Sequence, residues 1–464
     1  MSHQEMTPQQ LVERALSLSS ADECVVIADA VTEANLRWAS NTLTTNSVSR
    51  SQEVTVIAVV DGSVGVVSEQ GVTEESLARV VTAAENTARA GTEAEDRAPI
   101  AGADTVAGSG DWDAHPAETS IEVFSAFAPA LGQVLERAAA SDELLFGYAE
   151  HQMQTTYLGS SKGLRARHDQ PTGHVEINAK SPDYARSAWS GVPTTDFLDV
   201  DVDALTSGLS RRLAWAARSV ELPAGRYETV LPPTAVSDLM IYLYWSLGAR
   251  DAHDGRTVFS RPGGGTRIGE RLTDLNVVLR SDPTSPLIEC PPFTIARETG
   301  SALSVFDNGA PLAPTSWVSD GVLTSLVQTR HSAGLTGLPF TPYIDNLILD
   351  GAATGAADDV ELTAGMRRGL LLTCLWYIRE VDPQTLLLTG LTRDGVYLVE
   401  NGEIVGAVNN FRFNESPVDL LGRIAECGAS ERTLPREWRD DFTRVTMPPL
   451  RVADFNMSSV SQAS

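Results

Sequence analysis

Lysine, histidine and cysteine are scarce in this chain, and each shortage excludes something. Lysine occurs only at Lys162 and Lys180, against 33 arginines, and the net charge is -26. So acidic a chain opposes phosphate backbones and anionic membrane surfaces, so no direct nucleic-acid or membrane contact is expected. The four cysteines, Cys24, Cys290, Cys374 and Cys427, are scattered and form no CxxC pair. That argues against a disulfide framework and fits reduced thiols in a cytoplasmic protein. The seven histidines include no pair closer than His168 and His174, which is not the spacing of helical metal ligands. No apolar run nears the roughly 20 residues that a membrane helix needs. The first ten residues are polar, with no basic start or apolar stretch, so no secretory signal is expected. No repeat of fixed period stands out.

What is present is enough for two or three domains, at roughly 100–200 residues each. Apolar residues make up 42% of the 464, so large cores can be buried. Thr7-Pro8-Gln9-Gln10 has the pattern of a capped helix start. Cys24 to Ala30 reads as a buried strand, and Asn35 to Ala39 continues the sheet. Val54–Val60, Asp61-Gly62 and Val64–Val67 read as a hairpin. Thr73 to Ala90 carries Leu77, Val80, Val81, Ala84 and Ala88 at helical spacing, and Gly91 can end that helix.

Residues 92–114 are rich in Ala, Gly, Asp and Thr and read as a linker. Thr119-Ser120-Ile121-Glu122 predicts a capped helix to Ala140. Four strands are expected at 144–151, 154–159, 164–168 and 174–179, then a helix over 202–219. From Gly225 the character changes again. Tyr227–Leu231 is a strand, Pro232-Pro233 ends it, and Thr234 starts a helix to Ala249. Strands are predicted at 344–349, 370–378, 385–389, 395–399 and 403–408, with Asn401-Gly402 as a two-residue turn. A last helix is expected over 417–426 and a last strand over 450–456.

The pattern implies an α+β protein: a mixed N-terminal region with sheets and packed helices, and a large C-terminal domain dominated by antiparallel sheet. The expected units are 1–91, the linker 92–114, a central unit 115–221 and a C-terminal unit 222–464.

Several blocks carry a family resemblance. They are Leu36–Ala90 with Ser40-Asn41-Thr42-Leu43, Tyr157-Leu158-Gly159-Ser160-Ser161-Lys162-Gly163, and Gly225 to Pro233. Further blocks are Phe306-Asp307-Asn308-Gly309-Ala310-Pro311, Thr329 to Ala333, and the run from Gly369 through Leu388-Thr389-Gly390 to Ala407-Val408. Taken together, these make the chain resemble the TldD/PmbA family, over most of its length. The family pairs two kinds of subunit. One is a zinc metallopeptidase with His-Glu-x-x-x-His on a helix and a distant cysteine ligand. The other, the PmbA or TldE type, shares the fold without the zinc motif and completes a peptide channel.

The helix after Pro232-Pro233 resembles the zinc helix but contains neither His nor Glu. The motif positions fall near Ile241, Tyr242 and Ser246. Ile cannot ligate, and a tyrosine with a pKa of about 10 is a poor general base near neutral pH. His253 reads as an exit-loop residue and Cys427 as a small buried side chain, each with a metal role as its alternative. Tyr242, Tyr244 and Trp245 could line a groove, but helical packing against Ile241 favours a core. Arg261-Pro262-Gly263-Gly264-Gly265-Thr266 lacks the lysine of a phosphate loop and reads as a loop only.

The resemblance therefore implies a subunit that is not catalytic by itself. It implies no cofactor in this chain, zinc on a TldD-like partner, and an unfolded peptide or small protein as substrate. Gly369, Leu371, Thr373, Thr389, Gly390, Tyr397 and Asn401 are the expected channel residues. Two alternatives stand beside this: a stand-alone peptide-binding regulator of the gyrase-modulator type acting through protein partners, and a divergent enzyme using Cys427 or His331. A homodimer is also left open.

Overall fold

Thr7 caps the first helix as its spacing predicts. Its hydroxyl accepts from the Gln10 amide at 3.2 Å, and the Gln10 side chain accepts from the Thr7 amide at 3.0 Å. The computed structural model describes residues 6–105, 110–351 and 358–461. Helix α1 (Pro8–Leu18) leads to strands β1 (Glu23–Ala39), β2 (Thr42–Val60) and β3 (Ser63–Gln70), then α2 (Glu74–Ala90). Next come α3 (Phe127–Ala140), β4 (Leu144–Ser160), β5 (Arg165–Lys180), β6 (Ser187–Thr194) and α4 (Val202–Trp215).

The remainder begins with β7 (Ser219–Val220), β8 (Gly225–Leu231), α5 (Pro233–Trp245) and α6 (Ala249–His253). It continues with β9 (Val277–Ser281), β10 (Thr315–Ser319), β11 (Val322–Leu323), α7 (Arg330–Thr336), β12 (Leu347–Gly351) and α8 (Asp359–Thr363). Six strands follow: β13 (Arg368–Leu372), β14 (Leu375–Asp382), β15 (Leu387–Thr392), β16 (Val396–Glu400), β17 (Glu403–Val408) and β18 (Phe411–Glu415). The chain closes with α9 (Pro417–Leu421), β19 (Ile424–Cys427), β20 (Glu431–Thr433), β21 (Val445–Met447) and β22 (Leu450–Val460).

Three sheets result among the described residues, and the fold is α+β. The first has the order β3-β2-β1-β4-β5-β6, all antiparallel. The second runs β11-β10-β9-β12-β21-β20. The third runs β14-β15-β18-β22-β8-β13-β16-β17-β7, with β19 beside β22.

Residue parity decides how the first sheet is used, because successive side chains on a strand point to opposite faces. Cys24, Val26 and Ala28 bury against α1 and α2, while Ala34, Leu36 and Trp38 bury with Phe127 and Leu131 of α3. The alternate residues Val25 and Ile27 face the other way and pack with Phe293, Val305 and Phe306 of the C-terminal part.

Several expected boundaries move. The strands expected separately at 144–151 and 154–159 are the single β4, and those at 164–168 and 174–179 are the single β5. Polar residues at mid-strand mimic a break, yet Met153 pairs with Pro171 and the ladder continues. The helix expected from Thr119 is instead a short 3-10 turn at Ile121–Phe124 followed by α3. Pro129 lacks an amide hydrogen and is tolerated only in a first turn, so the helix restarts at Phe127. Residues 370–378 divide into β13 and β14, and the final helix stops at Leu421 and gives way to β19. The Asn401-Gly402 turn forms with both residues at positive φ, 52° and 84°. In the expected linker, Ile100 is buried and Gly102 bridges to Gly163; residues 106–109 lie outside the described residues.

Gly65 on β3 lets α2 approach: a Cβ there would sit 2.0 Å from the Ala84 carbonyl oxygen and 2.5 Å from the Ala88 amide. Both are backbone atoms and cannot swing aside. Gly65→Ala is expected to lower stability by about 1–3 kcal/mol, the usual cost of overpacking. Gly132→Ala, in open space on α3, is expected to raise it by roughly 0.5–1 kcal/mol. Urea unfolding of the two variants with opposite signs would bear this out; equal effects would refute it.

Candidate functional site

Pro232 and Pro233 stop β8 and preset the first turn of α5, whose missing amides cost nothing there. The helix is apolar almost all round, with Val236, Leu239, Met240, Ile241 and Leu243 buried. It ends at Trp245, short of the Ala249 expected from sequence, and α6 is a separate element. The Ser246 amide returns to the Tyr242 and Leu243 carbonyls, and its hydroxyl donates to the Tyr242 carbonyl at 2.9 Å. Gly248 then opens α6 in a non-helical conformation.

The residues on α5 do not fit a metal. Ile241 is 0% exposed and has no donor atom. Tyr242 is half-buried, and that burial pushes its phenol above its ordinary pKa, further from metal-binding phenolate. Ser246 is occupied in capping the helix. His253 is exposed at the end of α6, His331 Nε2 lies 3.8 Å from Glu95 Oε1, and Cys427 is buried in β19. No group of three or more His, Cys, Asp or Glu converges as a metal site among the described residues. Burial pushes the Cys427 thiol up to about 11, as it does Cys24, and takes Cys290 to about 12. Burial thus favours the neutral thiol form at all three. Gly159-x-Ser161-x-Gly163 has the spacing of a hydrolase nucleophile elbow. It links strand to strand, and its Ser161 hydroxyl accepts from the Cys24 amide at 3.0 Å.

A groove of about 790 Å³ lies along α5, and Tyr242, Trp245 and Ser246 form one wall. Tyr242 and Ser246 are four residues apart and so share a helix face, whereas Ile241 is turned into the core. Trp438 completes an aromatic cluster, with ring centroids 5.7 Å from Tyr242 and 5.0 Å from Trp245. The opposite wall is Ile378, Arg379 and Glu380 of β14, an edge strand of the third sheet. Asp251, Arg256, Arg379 and Glu380 balance in charge. Tyr377 and Val381 on the same strand are more than half exposed. The aromatic residues expected on α5 thus divide: Tyr244 is core, and Tyr242 and Trp245 reach the groove.

The loop between β20 and β21 fixes this arrangement. Asp238, inside α5 and fully buried, accepts the Glu437 amide on Oδ1 at 3.0 Å, and its carbonyl accepts the Trp438 indole at 2.9 Å. The Thr234 hydroxyl donates to the Leu434 carbonyl at 2.8 Å. The Glu437 carboxylate accepts the Tyr377 and Ile378 amides at 3.1 and 3.0 Å, joining the loop to the edge strand. Sequence reasoning missed Asp238, Glu437 and Trp438; a lone Asp within an apolar helix is the signal that could have found the first.

The expected channel residues are spread across the third sheet. Gly369, Leu371, Thr373 and Tyr397 are buried on β13, β16 and the turn after β13. Gly369 abuts Met366 and the Glu228 carbonyl, and Gly390 abuts the Phe413 ring. Thr389 is half-buried on β15, and Asn401 is exposed in its turn. Thr389 pairs with Arg379 of the groove wall. Gly263, Gly264 and Gly265 all take positive φ in a turn closed by the Arg261 amide on the Gly265 carbonyl.

An α+β chain built on long antiparallel strands, with a helix after Pro232-Pro233 that carries neither His nor Glu, defines the class. Residues 224–459 match the PmbA/TldA metallopeptidase C-terminal domain, and residues 24–88 match PmbA/TldA metallopeptidase domain 1. The chain belongs to the PmbA/TldD family. In fold it is similar to TldE from Thermococcus kodakarensis (TM-score 0.78, 14% identity, 96% of this chain and 98% of that one). It is also similar to candidate modulators of DNA gyrase from Thermotoga maritima (0.75, 18%, 97% and 99%) and Bacteroides thetaiotaomicron (0.74, 14%, 98% and 98%). No curated protein matches. No helix among the described residues is long and apolar enough to cross a membrane.

Burial holds the Asp238 carboxyl neutral well above its ordinary range, with the Glu437 charge adding to the shift. Its folded pKa is raised, so this group's contribution to stability falls as pH climbs from the unfolded value near 3.8 towards the folded one. Asp238→Asn keeps the acceptor and cannot ionise. Its melting temperature relative to the parent should therefore climb from pH 4 to pH 8. A difference that is flat with pH would mean that Asp238 ionises alike in both states.

Proposed function

We propose that this chain is a non-catalytic, TldE-type subunit that pairs with a zinc-bearing relative and supplies one wall of a peptide-binding chamber. The observation that carries the reading is the groove along α5. The positions that resemble the zinc motif hold Ile241, Tyr242 and Ser246, yet the space beside them stays open and aromatic. An extended peptide is recognised by backbone hydrogen bonds to an edge strand and by pockets for alternate side chains. β14 offers the edge beyond Tyr377 and Ile378, whose amides Glu437 already holds, and Tyr242, Trp245 and Trp438 offer the pocket.

The pairing surface is best sought on β2. It pairs with β1 from Thr42 to Val59, but β3 covers only Glu53 to Val60. The stretch 42–50 is exposed on both faces, with Leu43 and Val48 about half exposed. An uncovered edge of this length invites another strand.

Mixing the chain with a relative that carries His-Glu-x-x-x-His should give a stable complex that cleaves peptides, while this chain alone should cleave none. Leu43→Asp with Val48→Asp should weaken the complex. Trp245→Ala should weaken peptide binding about tenfold, the value of one aromatic contact of ~1.4 kcal/mol. Stoichiometric zinc and peptide cleavage by this chain alone would refute the proposal. Undiminished peptide affinity with no gain on mixing would instead support a stand-alone peptide-binding regulator, the second reading.

A further inference from the structure

A second cleft, of about 330 Å³, lies between the first sheet and the C-terminal part, away from the groove on α5. Strand register builds its floor. Arg37 pairs with Tyr148 and Tyr148 with Glu176, while Phe146 pairs with Asn178 and Asn178 with Trp189. Cross-strand partners share a face, so these side chains and Lys180 stand on the face opposite α3 and α4. The loop after β15 and the loop between β20 and β21 form the roof.

Charge sets this cleft apart. Arg37, Lys180, Arg393, Arg436 and Arg439 line it against only two carboxylates, Glu176 and Asp394, in a chain of net charge -26. Both carboxylates are engaged. Glu176 accepts the Trp189 indole at 3.2 Å and pairs with Arg439. Asp394 pairs with Arg436 at 3.0 Å and Arg393 at 3.5 Å and accepts the Ser187 hydroxyl. Arg37 and Lys180 have no ion pair among the described residues, and Lys180 stands over the Phe146 ring at 5.8 Å. Arg436 is 8% exposed, held between the Trp189 and Trp376 rings at 4.8 and 4.9 Å, and its Nε has no hydrogen-bond partner.

Cations packed at this density repel one another, and low-dielectric walls focus their field into the cleft. A bound multivalent anion offsets that repulsion, and arginine forks match the oxygens of phosphate and carboxylate. We propose that this cleft binds a small multivalent oxyanion, a diphosphate or a polycarboxylate, which bridges Arg37 and Lys180 on the first sheet to the arginines of the C-terminal loops. The site needs no partner chain and no peptide, so it stands or falls apart from the function proposed above.

Calorimetric titration of the full chain with inorganic pyrophosphate, and separately with citrate, at constant ionic strength tests it. One saturable site is expected for at least one of them, and the tighter of the two identifies the anion class. Arg37→Ala and Lys180→Glu should each weaken that binding at least tenfold, while Lys162→Glu, the other lysine, should leave it unchanged. Melting temperatures without anion establish that the variants fold. No saturable binding by either anion, or equal binding by the parent, Arg37→Ala and Lys180→Glu, would overturn the proposal.

Discussion

The constraint on which the functional surfaces depend is the burial of one carboxyl group. Asp238 sits at 0% exposure inside an apolar helix, and its side chain and carbonyl hold the loop that runs from Leu434 to Arg439. A buried carboxyl without partners costs several kcal/mol, so the loop has to stay in contact with it. From that anchor the loop's successive residues diverge. Glu437 and Trp438 turn to the edge strand and the aromatic groove, while Arg436 and Arg439 turn to the cleft against the first sheet. Groove and cleft are thus two sides of one pinned loop. Movement at Asp238 would be felt at both.

The first sheet supplies the second constraint. Its central strands run 16 to 19 residues, a span of roughly 55–60 Å at about 3.3 Å per residue. One sheet can then carry two helix layers on one face, α1 with α2 and α3 with α4. The other face is left to the C-terminal part. Near Val25 and Ile27 that contact is apolar; near Arg37 and Lys180 it is charged and open. Parity within β1 alone separates Trp38, buried among helices, from Arg37, facing the cleft.

Much of the fold was legible where local chemistry is decisive. The Thr7 cap, the Asp61-Gly62 and Asn401-Gly402 turns and the Pro232-Pro233 stop need only neighbouring residues. The long strands were not legible, because a strand that changes neighbours along its length changes its polarity pattern with them. Gln152-Met153 and Asp169 to Gly173 read as breaks for that reason. The α+β class followed from residue types and their spacing. The groove did not, because Trp438 and β14 approach α5 from nearly 200 and more than 130 residues away, and no local pattern records that meeting.

Helix geometry explains how α5 can serve the core and border a cavity at once. Adjacent residues on a helix are turned by about 100°, so Ile241 and Tyr242 cannot face the same way. Ile241 points into the core, where a side chain without polar atoms removes any desolvation cost. Tyr242 and Ser246 sit on the neighbouring face and border the groove. On the proposed reading, substitution at the inward position made the core more apolar. The outward positions put a phenol and a hydroxyl on the groove. Neither side chain closes the groove. On the proposed reading, α5 serves the core with one face and the peptide groove with the other, while the chemistry is supplied by a partner chain.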